Sequence, residues 1–62
     1  MIPHSELVGF LLFAFMECDR IDAEKDYAAL EVLLVDLHKF HHDVPEVARH
    51  QALREANNIY GR

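Results

Sequence analysis

Leu7-Val8-Gly9-Phe10-Leu11-Leu12-Phe13-Ala14-Phe15-Met16 runs without a single charge in a chain of 62 residues. Wound into a helix of 3.6 residues per turn, it is apolar on every side. Leu7, Leu11, Ala14 and Cys18 form one stripe, Val8, Leu12 and Phe15 a second, and Phe10 with Phe13 a third. A helix on the outside of a globular protein carries one such stripe, and the others here need cover of their own. The rest of the chain has room for two more helices, which cover two sides of a cylinder. The third side is left for another copy or another protein.

Working outward, Ser5 reads as the N-cap of this first helix, with Glu6 in the first turn where the helix dipole favours an anion and Pro3 outside. Periodicity fades through Glu17-Cys18-Asp19-Arg20-Ile21, so the helix is expected over about residues 5–18. Asp22 then caps a second helix, expected over about 23–41, whose stripe Tyr27, Leu30, Leu34, Leu37 and His41 is widened by Leu33 and Phe40. Ala28, Val32 and Val35 form a second apolar strip on its far side. A connection this short predicts an antiparallel hairpin of the two long helices.

Asp43 with Glu46 three residues on has the pattern of a capping box, and Pro45 suits a first helical turn. A shorter third helix is expected over about 44–60, with Gly61 as its stop. Ala48, Ala52 and Ala56 give it a thin face of small residues, so it is expected to lie closely against the hairpin as a lid. No segment alternates as a strand does, and two glycines leave no room for hairpin turns. The expected class is all-α: one helical domain over 1–62, a long antiparallel helical hairpin plus a shorter third helix, associating into a helical-bundle oligomer.

Size supports association. A chain this short buries only about 60% of the surface it exposes when unfolded, so a lone monomer needs help from disulfides, metal or oligomerisation. Cys18 is the only cysteine and cannot bridge within one chain. Lying in the first apolar segment, it reads as a buried, reduced thiol of an intracellular protein. Glu17 and Asp19 beside it disfavour a thiolate nucleophile. The residues expected to bury most area between copies are Leu7, Phe10, Leu11, Phe13, Phe15, Leu30, Leu33, Leu37 and Phe40.

Charge narrows the partners. Eleven acids face six bases, a formal net charge of −5. The whole excess falls in residues 1–31, where Glu6, Glu17, Asp19, Asp22, Glu24, Asp26 and Glu31 meet only Arg20 and Lys25. Direct nucleic-acid binding draws on Lys and Arg against phosphate, and this balance argues against it. The apolar run is shorter than the about 20 residues of a membrane span, and no basic n-region or small-residue cleavage site marks it as a signal peptide. An interfacial helix would carry a basic polar face, which is missing. The expected setting is the cytoplasm, without membrane contact.

Candidate chemistry is thin. His38 and His42 are one helical turn apart, beside His41 and near Asp36, Asp43 and Glu46, and this is the one arrangement that suits a divalent transition metal. No second His-x-x-x-His or Glu-x-x-His pair completes it, and imidazoles at a helix C-terminus have a capping role of their own. The primary expectation is no cofactor, with metal binding at His38 and His42 as the alternative. The same imidazoles could charge together near pH 6.5 as a switch, a reading ranked below capping. The acidic stretch 19–26 lacks the glycine of a calcium loop, Ser5 serves better as a cap than as a nucleophile, and no glycine-rich loop holds phosphate. The chain is therefore expected not to be an enzyme. The expected function is a small acidic regulatory, adaptor or inhibitor protein that self-associates and docks on a larger protein, the alternative being a metal- or small-ligand-binding helical oligomer that uses the histidine cluster at the end of the second helix.

Overall fold

A computed structural model describes residues 2–61. All regular structure among them is α-helical: α1 (His4–Glu24), α2 (Tyr27–Asp43) and α3 (Glu46–Tyr60). The Cα frame measures 33 × 28 × 14 Å. Helix α1 packs against both α2 and α3, and it keeps a side of its own on which Phe13 and Met16 are exposed.

Both connections are tight, and each is set differently from the sequence expectation. The first helix does not stop near residue 18. Ile21 is buried among Ala14, Leu33 and Leu30, and that anchorage carries α1 one and a half turns further. Lys25 then takes a left-handed conformation (φ 58°, ψ 37°), and its N–H and that of Asp26 both point at the Ile21 carbonyl. Asp22 is thus inside α1, and the cap of α2 is Asp26, whose carboxylate accepts from the Ala29 N–H at 3.3 Å.

Ser5 likewise lies inside α1; the N-cap position is Pro3, whose carbonyl takes the Glu6 and Leu7 N–H groups. At the second junction the capping box does not form. Pro45 disfavours helical backbone at Val44, so Val44 is extended (φ −105°, ψ 129°), α2 ends at Asp43, and Pro45 itself occupies the N-cap of α3. The Val44 side chain turns inward and is buried.

The core has two parts. Leu7, Val8 and Leu11 of α1 meet Ala52 and Ala56 of α3 with Val44 beneath, and Ala14 and Ile21 meet Leu33 of α2. Ala52 and Ala56 have no exposed surface at all, the close approach their size allows. The pairings Phe10 with Phe40, and Ala14 and Ile21 with Leu33 and Leu30, run in opposite directions along α1 and α2, the expected antiparallel hairpin. The third helix is more than a lid, however, because α1 packs more extensively on α3 than on α2.

Candidate functional site

The three stripes of α1 have different fates. Leu7, Leu11 and Ala14 are buried, Val8 is buried with Leu12 and Phe15 partly covered, and the third stripe is split, Phe10 packing on the core while Phe13 stays open. Phe13 is 53% exposed and Met16 61%. Along that side Glu6, Gly9, Phe13, Met16 and Arg20 are all exposed and follow each other at three- and four-residue steps. A side chain added at Gly9 would begin in open space.

Across a shallow groove of about 200 Å³ from Phe13 stands Val32 of α2, itself 64% exposed. Val35, one turn on, is exposed beside Val32, and Tyr27 and Leu34 are exposed on the other flank of α2. The sequence stripe of α2 is therefore rotated: Leu30, Leu33, Leu37 and Phe40 face α1, while Tyr27, Leu34 and His41 stay outside. A helix apolar on both flanks offers two solutions to its own periodicity, and packing on α1 selects one.

Of the nine residues expected between copies, Leu7, Leu11 and Leu33 are core residues of a single copy and are not available to a second. Phe10, Phe15, Leu30, Leu37 and Phe40 are partly covered by their own chain, and Phe13 is the one left more than half exposed. Met16 and Val32 are exposed beside Phe13, although neither is among those nine. The three-residue step from Phe13 to Met16 was the available signal.

Cys18 is exposed, not buried. Phe15 meets the Tyr60 ring at a centroid distance of 5.4 Å, and α3 ends with Tyr60, so the third helix is too short to cover the next turn of α1.

Where the three helices approach one another, Leu11, Leu37, Phe40 and Leu53 floor a groove of about 390 Å³ edged by Arg49 and His50. Arg49 ties its two walls together. It donates from Nε to the Val44 carbonyl at 3.0 Å and from Nη1 to His41 Nδ1 at 2.7 Å, so His41 must accept there. A third cleft of about 550 Å³, walled by Leu7, Val44, Pro45 and Ala48, opens beside His4 at the start of α1.

The histidines are dispersed among these elements. His4 pairs with Glu55, His42 Nδ1 lies 3.1 Å from Asp43, and His50 lies 3.9 Å from Glu46. His38 and His42 are both exposed on α2, and among the described residues no three His, Cys, Asp or Glu side chains gather as a metal site.

At the other end of the hairpin Arg20 gathers Glu24 at 2.7 Å, Glu17 at 2.9 Å and Asp26 at 3.4 Å. The hydrogen-bonded guanidinium holds the Glu17 carboxyl below its ordinary value, and the carboxylates raise the Arg20 pKa further. No helix among the described residues is long and apolar enough to cross a membrane. No family model, curated protein or solved structure matches the chain.

Proposed function

We propose that this chain works by association: a small acidic regulatory, adaptor or inhibitor protein that pairs with itself and docks on a larger protein. The observation that carries the reading is the apolar side left open on α1, where Phe13 and Met16 face outward across a groove from an equally exposed Val32. Large apolar side chains grouped in this way lose contact with water only against another surface. The excess of acids favours a protein partner over a nucleic acid. An exposed, unpaired Cys18 suits a reducing compartment, and the cytoplasm is the proposed setting.

Sedimentation mass at micromolar concentration, together with affinity capture from cells, tests this reading. The expected results are a mass above the 7.2 kDa of one chain and a partner recovered in stoichiometric amount, the latter lost with Phe13→Glu. A 7.2 kDa species that recovers nothing in stoichiometric amount would overturn it.

A further inference from the structure

We infer that the open side of α1 is a self-complementary surface, and that two copies pair there with their α1 helices antiparallel and crossing at Phe13. The inference rests on the association reading above and names its first partner, a second copy of this chain.

A two-fold interface must match itself: whatever one protomer offers at residue i has to fit what its partner offers at residue j, and the reverse. The exposed stripe meets this condition. Phe13 stands seven residues from Glu6 in one direction and seven from Arg20 in the other, and all five stripe residues are exposed. Turning a second copy end for end about Phe13 lays Met16 of one protomer over Gly9 of its partner. Gly9 has nothing within 4 Å of where a Cβ would stand, so the protruding thioether meets an open gap. The same operation repeats the contact on the other side of the axis, and the two Phe13 rings meet at the centre.

Glu6 comes to face the partner's Arg20, a pair of opposite sign. Arg20 is already shared by Glu17, Glu24 and Asp26, so this exposed rim contact adds little affinity. Register comes from the fit of Met16 to Gly9.

Val32, beside Phe13 across a groove also lined by Glu17 and Asp36, adds apolar surface beyond α1.

Charge gives the pairing a sign of its own. Two chains of net charge −5 repel at long range, so self-pairing strengthens as salt screens that repulsion, whereas docking of a basic partner on the same stripe weakens with salt.

The test is sedimentation equilibrium of the full chain at low and high salt, with Gly9→Leu and Phe13→Glu beside the parent. The parent should sediment at twice 7.2 kDa, with an association constant that rises with salt. Gly9→Leu should weaken pairing at least tenfold while its helical circular dichroism is kept or raised, since the new side chain meets nothing in its own protomer and fills the gap its partner needs. Phe13→Glu should be monomeric.

Register is read by oxidative cross-linking on a Cys18→Ser background. Chains carrying Gly9→Cys and chains carrying Met16→Cys, mixed in equal amounts, should give more 9-to-16 product than 9-to-9 or 16-to-16. Undiminished pairing in a folded Gly9→Leu chain, or predominance of like-with-like cross-links, overturns the inference. A monomeric parent also overturns it; if such a monomer still captures a larger protein in a manner abolished by Phe13→Glu, the association reading survives without the pairing.

Discussion

The rings of Phe10 and Phe40 stack with centroids 5.0 Å apart and planes 24° from parallel, closing the hairpin at the end far from its turn. Each ring is also packed against the cluster that joins α1 to α3, so the pair lies where all three helices meet. A chain with so few buried side chains depends heavily on one such contact.

Replacing Phe40 by Ala should therefore lower unfolding free energy by about 2–3 kcal/mol, below the 3–5 of a fully buried Phe because the ring is only partly covered. Urea titration followed by helical circular dichroism measures this. A change within 0.5 kcal/mol would mean that the aromatic stack is incidental, since surface substitutions fall in about that range.

Ala52 has no exposed surface and lies against Leu7, Val8 and Leu11. Ala52→Leu forces α3 away from α1, and an overpacking cost of about 1–3 kcal/mol is expected. Because α1 packs more extensively on α3 than on α2, the loss should be seen as a lower thermal midpoint of the whole molecule. Melting of α3 alone, with α1 and α2 unchanged in hydrogen exchange, would contradict that coupling.

Lys25 is the one described non-glycine residue with positive φ, at 58°. The left-handed region costs an ordinary residue about 1–2 kcal/mol, and glycine is the usual occupant of such a helix end. Lys25→Gly should stabilise the chain by about 0.5–1 kcal/mol, the remainder being lost to the greater freedom of glycine when unfolded. The Lys25 ammonium lies 3.7 Å from Asp22, an exposed pair whose removal offsets little of this gain. Loss of stability in the same urea titration would show that the cap depends on the lysine side chain.

Three helices, two short connections and the small-residue face of α3 were legible in the sequence because each has a local cause: a 3.6-residue period, a pair of junctions, and alanines at four-residue spacing. Their exact ends were not. Asp22 and Asp26 are equally good caps by local chemistry, and the choice between them is made by Ile21, whose burial against Leu33 and Leu30 extends α1. The orientation of α2 was hidden for a related reason. Leu34 and Leu37 are both leucines on an apolar flank, and only the position of α1 decides that Leu37 packs inward and Leu34 remains outside. The open stripe was legible in part: Phe13 was marked by belonging to the third apolar side of α1. Exposure of Cys18 followed from the length of α3, a property no residue near Cys18 encodes.

Arg20 gives the hairpin turn a pH dependence whose sign can be worked out. Its hydrogen bonds to Glu17 hold that carboxyl below the ordinary value of 4.5, so the folded chain binds a proton there less readily than the unfolded chain. A carboxyl lowered on folding contributes stability that is fully present above its unfolded value and is lost as pH falls through the folded one. The thermal midpoint should accordingly decline on acidification below 4.5. Arg20→Gln removes the cause, and the variant should lose less on acidification than the parent while differing only slightly from it at neutral pH, because every member of the cluster is at least partly exposed. Carboxyl titration by NMR supplies the direct reading: the Glu17 midpoint should rise toward 4.5 in Arg20→Gln. An unmoved midpoint would show that Arg20 and Glu17 are not paired in solution, leaving the turn to the backbone bonds to Ile21 and the Asp26 cap.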